Sequence, residues 1–225
     1  QHVRAIQLLL MVHFVDAKAG GTKMRTITPQ AFTAYKALNP HDDRLQKLTL
    51  EELYANTGSG QVDWNKITYK PELLRGSEWD CALGIGYVVF DCICLFIGAV
   101  SLRSSVTAEA AEDIAKAAEP VANKLEGYIK TIGASASTKV EVATAVFGVI
   151  STLYSGSCLG AVISAFLGSL TWYNAVLYGA TALGTIMAAV ATDGAAEIGI
   201  IVVELATAGF LVGDSIKCAE ACSYA

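Results

Sequence analysis

From Val140 to Ile216 the chain has no lysine and no arginine, and its only acidic residues there are Glu141, Asp193, Glu197, Glu204 and Asp214. Charge is scarce throughout. Asp, Glu, Lys and Arg make up 16% of the 225 residues, where soluble domains carry about a quarter. A net charge of −5 leaves no basic footprint for nucleic acid. Catalytic signatures are missing too: there is no His-Glu-x-x-His, no P-loop and no nucleophile elbow. His2, His13 and His41 are scattered rather than spaced as ligands. Neither catalysis nor a metal site is therefore expected. Six cysteines are too few for a disulfide-dense scaffold. Cys92 and Cys94 point apart on a helix, whereas Cys218 and Cys222 lie one turn apart on one face. A disulfide from that pair to another cysteine is open, as are all 15 pairings of six cysteines. No zinc-ligand spacing is present.

What the chain does have is apolar length: 53% hydrophobic residues and a mean hydropathy of +0.46. Residues 1–80 hold ten Lys/Arg, nine Asp/Glu and all three His. That charge falls away near Trp79, which divides a polar region, 1–78, from an apolar helical membrane domain, 79–225. "AIQLLLMVHFV" near the start is broken by Gln7 and His13 and reads as an amphipathic helix rather than a signal core. The apolar region divides into Cys81–Leu102, Val142–Leu170 (one tilted helix, or two broken at Ser155-Gly156-Ser157), Trp172–Ala191 and Ala195–Ile216. A 22-residue helix reaches about 33 Å, against a hydrocarbon core of ~30 Å. Between the first two, Ser105–Ile132 reads as a surface helix ended or kinked at Pro120. Thr192-Asp193-Gly194 is a turn signal. The expected fold is all-α, with a polar helix-loop-helix region followed by a bundle of about four apolar, transmembrane helices.

Small residues suggest how the last two segments would pack. Ala180, Gly184 and Ala188 recur every four residues, as do Gly209 and Gly213, a pattern that lets helix backbones approach closely. A tight antiparallel hairpin is expected. Four acids interrupt the apolar runs: Asp91, Asp193, Glu197 and Glu204. The last three share one helix face. Such residues face a bundle interior or a cavity rather than lipid. A carboxylate can be protonated on burial, so acids without cations are tolerated there.

The polar region carries one family resemblance. "KLTLEELYANTGSGQVDWNKI", Lys47 to Ile67, resembles the second half of an EF-hand pair, with Thr49 and Glu52 as a capping box. With Gly60 at the loop's central glycine, Ala55, Thr57, Ser59, Asp63 and Lys66 fall on the first, third, fifth, ninth and twelfth positions, and Val62 on the apolar bridge. Upstream, "FVDAKAGGTKMRTITPQAFTAYKAL" resembles the first half. Asp16 and Gly21 are spaced as in a loop, Ile27 is the bridge residue, and Thr28 and Pro29 open the exit helix. Ala55 and Lys66 remove the two most important ligands, so the resemblance implies a calcium-free structural or docking module of eukaryotic type.

Two functions are expected from these features. The first is a non-catalytic integral membrane protein, a structural or accessory subunit of a larger assembly such as a respiratory or photosynthetic complex. The alternative is a pore or channel former with an acid-sensitive apolar hairpin, either stably inserted or secreted and inserted from a soluble state. Membrane lipids and other subunits are the expected partners. A bound lipid or pigment is left open, and calcium is not expected.

Overall fold

The computed structural model describes residues 24–58, 60–67 and 80–224. The amphipathic stretch at the start, Asp16 and Gly21 lie outside them, as does Ser59. The described part of the polar region, 24–58 and 60–67, forms a compact module. β1 (Met24–Thr26) pairs antiparallel with β2 (Gln61–Asp63), with Arg25 opposite Val62. Three capped helices surround this ribbon. Thr28 accepts from the Ala31 amide and Pro29 sits in the first turn of α1 (Pro29–Leu38). Asp42 caps α2 (Asp43–Lys47), and Thr49 caps α3 (Leu50–Thr57). These side chains satisfy amides that a helix start leaves without partners.

The apolar chain begins at α4 (Cys81–Ile97). Asp80 accepts from the Leu83 amide at 2.7 Å, and Gly98 ends the helix in the left-handed region at φ 71°. Every residue from Leu83 to Ile97 is buried, so α4 is an axle enclosed on all sides. Glycines let its neighbours come close. A Cβ on Gly86 would overlap the Ala111 carbonyl, and one on Gly84 would sit 2.9 Å from Cys218 Cα.

The enclosing helices are amphipathic or bent. Pro120 separates α5 (Ala108–Ala118) from α6 (Ala122–Gly133) through a 3₁₀ turn, as its sequence predicts. Both present charges outward and bury Ala111, Ile114, Leu125, Ile129 and Ile132. A capping box of Thr138 and Glu141 opens α7 (Lys139–Ser155). The chain then bends by 112° through Gly156-Ser157 into α8 (Leu159–Phe166), Ser157 being left-handed at φ 58°. α9 (Trp172–Ala191) is the longest helix among the described residues. The turn at 192–194 follows, with Asp193 and Gly194 both left-handed. α10 (Ala195–Glu204) and α11 (Gly209–Ala221) meet at a 90° bend through a 3₁₀ turn.

The expected membrane bundle is reproduced only in part. The described chain is helical apart from the ribbon. Among the described residues only α9 is by itself long and apolar enough to cross a membrane; the count there rises to three if the pairs α7–α8 and α10–α11 each act as one span. At 17 residues α4 reaches about 25 Å, short of the ~30 Å core, because Gly98 stops it before Leu102.

The expected hairpin of Trp172–Ala191 with Ala195–Ile216 is also replaced, because the second segment divides into α10 and α11. α9 packs chiefly on α1 and α8, α10 on α7, and α11 on α4 and α6. Gly184 does serve a close approach, but to α1: a Cβ there would lie 2.8 Å from the Ala31 Cβ. Ala180 is buried and Ala188 half-buried on the same helix. Gly209 and Gly213 have nothing within 4 Å of an added Cβ, since the 90° bend takes α11 away to α4.

The polar module lies along α9. Tyr178 donates to the Asp63 carbonyl at 3.2 Å, Tyr173 donates to Glu52 at 3.4 Å, and the Arg44 guanidinium stacks 3.7 Å from the Trp172 ring. Tyr35 shares a 3.2 Å hydrogen bond with Ser164 on α8. One continuous apolar core runs from Ile27 and Trp64 through α4 to Cys218. The composition boundary near Trp79 therefore does not separate two cores.

Candidate functional site: the clamp between α4 and α11

α4 and α11 run antiparallel and are joined at two places. At one, Asp91 of α4 and Asp214 of α11 meet Arg103, which lies in the 3₁₀ turn Val100–Ser105. Arg103 Nε lies 3.0 Å from Asp91 Oδ1. Its Nε and Nη2 donate to Asp214 Oδ2 at 2.9 and 2.8 Å. The guanidinium also lies over Tyr87, 4.9 Å from the ring centroid, with Phe210 at 5.9 Å.

Asp91 is 0% exposed. It lies at ion-pair distance from Arg103, yet neither of its oxygens meets the full geometry of a hydrogen bond. Burial first, and then Asp214 beside it, push the Asp91 carboxyl well above the usual carboxylate range, with Arg103 pulling the other way. Burial and Asp214 prevail, because the Arg103 donors are directed at Asp214. One proton on Asp91 then gives it a donor toward Asp214. That proton leaves the cluster with one negative charge fewer. An apolar interior accepts a hydrogen-bonded set with fewer charges at less cost.

The second tie is covalent. Cys81, the first residue of α4, is bonded to Cys222 at the end of α11, with 4.4 Å between their Cα atoms. Cys218 is a buried free thiol whose sulfur lies 3.9 Å from that of Cys222. Gly84 faces it across the helix pair. Cys92, Cys94 and Cys158 are free and buried elsewhere. A cavity of about 540 Å³ opens beside Cys81, lined also by Asp80, Ile85, Glu112, Lys116 and Glu119.

The other acids expected from the sequence do not gather here. Asp193 is exposed in its turn, and Glu197 and Glu204 are half-buried on α10. Glu197 Oε2 is buried without a hydrogen bond. Only Asp91 of the four belongs to the clamp. Its partners are Asp214, the last acid of the cation-free stretch, and Arg103, the cation just past the first apolar run. Neither stands out in the sequence, because 111 residues separate them.

Of the residues that the EF-hand resemblance singles out, Ala55 is exposed on α3. Thr57 donates its hydroxyl to the Leu53 carbonyl at 2.7 Å. Gly60 is left-handed at φ 68° under the Tyr54 ring. Lys66 pairs with Asp63 at 3.7 Å on the surface. Among the described residues no three His, Cys, Asp or Glu side chains gather as a metal site.

Comparison of the chain with protein-family models, with curated proteins and with solved structures returns no match.

Proposed function

We propose that this chain is a non-catalytic membrane-inserting protein, a pore or channel former, and that its compact fold is the state held before insertion. One observation carries the reading. Two helix pairs, α7–α8 and α10–α11, have the length and apolarity of a span only as pairs, and each is sharply bent. Straightening either makes a span; the bend stores it. The surroundings of α9 point the same way. Arg44 and Glu52 lie against its first turn, and a bilayer rejects such groups, so this arrangement suits water. The α4–α11 clamp keeps α11 bent back onto the axle. Its disulfide fits an oxidising compartment. A degenerate EF-hand-like module would serve for docking without calcium, although its β1–β2 ribbon sets Arg25, not the expected bridge residue Ile27, opposite Val62.

A second reading is a structural subunit of a larger membrane assembly. It is favoured by the exposed apolar side chains Ile200, Val203, Val212 and Ile216 on α10 and α11, Val203 being 75% exposed. Exposed apolar patches mark contacts with lipid or with other proteins. The test is dye release from liposomes by protein purified without detergent, before and after reduction of Cys81–Cys222. Release that rises on reduction supports the pore reading. A protein that needs detergent throughout and releases no dye supports the subunit.

A further inference from the structure

We propose that Cys218, Cys222 and Cys81 form a thiol–disulfide exchange site, in which Cys218 attacks Cys222 and expels Cys81. The buried Cys218 sulfur is 3.9 Å from Cys222 and belongs to the same helix. In the exchange the Cys218 thiol gives up its proton and its sulfur bonds to that of Cys222. The Cys222–Cys81 bond breaks, its electron pair goes to the Cys81 sulfur, and that sulfur takes up a proton. One disulfide and one thiol are present before and after, so no oxidant or reductant is consumed.

Cys218 is 0% exposed and forms its thiolate only in alkaline buffer, but the helix ends favour this direction. The sulfur with the more stable thiolate leaves faster. Cys81 opens α4, where the helix dipole favours an anion, and Cys222 closes α11, where it disfavours one. The expelled Cys81 also borders the 540 Å³ cavity, which gives it water and a route for reagents. The product is feasible as well. Helix positions four apart hold their Cα atoms about 6.2 Å apart, inside the disulfide range of roughly 4.4–6.8 Å. α11 ends at Ala221, so the last turn can adjust. Gly84 matters because it lets α4 approach Cys218 so closely. The exchange would cut the covalent tie between α4 and α11 and leave only the ion pair. Its effect on insertion rests on the function proposed above; the exchange itself does not.

Peptide mapping without any membrane tests it. Cleavage after Lys217 places Cys218 and Cys222 on one short peptide, with Cys81 on the peptide 76–103. Before incubation the two peptides are cross-linked. The folded protein is held in mildly alkaline buffer with a trace of free thiol, then trapped with N-ethylmaleimide at acid pH and digested. The expected result is loss of the cross-linked species. The C-terminal peptide appears unalkylated and lighter by two hydrogens, with Cys81 alkylated in equal amount. Cys218→Ser abolishes this release. Persistence of the Cys81–Cys222 cross-link with Cys218 alkylated overturns the proposal. Equal release of Cys81 from the Cys218→Ser protein also overturns it, since another thiol is then the attacker.

Discussion

Asp91 and Arg103 sit in the same cluster, yet their loss should have opposite consequences. Folded Asp91 holds its proton more tightly than it would in the unfolded chain, where a carboxyl titrates near pH 3.9. Between that pH and its raised folded value the folded state binds more protons, so stability falls as pH rises. This sign argues against acid as what opens the clamp. Asp91→Asn keeps a neutral donor toward Asp214 and should remove this part of the fall. Urea unfolding of both proteins across neutral and alkaline pH would reveal it as a shrinking gap at low pH and a widening one in favour of Asn at high pH. Arg103→Ala leaves Asp214 buried without its cation and should cost about 3–5 kcal/mol, read as a lower urea midpoint. A loss below ~1 kcal/mol would mean that the cluster is open to water.

At the scale of elements, the glycines separate close approach from mere composition. Gly86→Ala pushes a methyl into the Ala111 carbonyl, where only backbone movement relieves it. It should destabilise by about 1–3 kcal/mol. Gly213→Ala lies within α11 with no neighbour in reach. It should stabilise by up to ~1 kcal/mol through helix propensity. A large cost at Gly213 would restore the hairpin that the small-residue pattern suggests. Thermal melts of the two variants decide this. The loop from Ala55 to Lys66 belongs to this scale too. If the EF-hand resemblance holds, titration calorimetry with millimolar calcium should give no binding heat, because Lys66 would then place an ammonium where calcium needs a bidentate carboxylate.

The whole molecule depends on how its apolar helices are stored. Cys81–Cys222 closes a loop of 141 residues, and loops of that length contribute about 2–5 kcal/mol. Cys81→Ser should lower the urea midpoint accordingly. Under the proposed function it should also raise dye release from liposomes. Glu204→Lys places a cation within the span that α10 and α11 would form and should add ~2.5–3.5 kcal/mol to insertion, cutting release roughly 100-fold. Glu204→Gln should insert normally. Equal release by the Lys and Gln proteins would remove α10–α11 from the inserting set.

The sequence by itself determined the local events. Thr28 and Thr49 are caps because their oxygens satisfy amides one turn away. Pro120 breaks a helix because it has no amide to give. Ser155-Gly156-Ser157 and Thr192-Asp193-Gly194 mark turns for equally local reasons. The tertiary structure decided which partners those elements found. It supplied Arg103 to two acids whose own stretch has no suitable cation, joined Cys81 to Cys222, and set Gly184 against Ala31 instead of α11. It also wrapped α4, which hydropathy alone would place in lipid, inside amphipathic helices. The physical reason is common to all four. Capping and helix breaking act within one turn of chain, whereas charge neutralisation, disulfide pairing and burial depend on groups brought together in space from far apart in sequence.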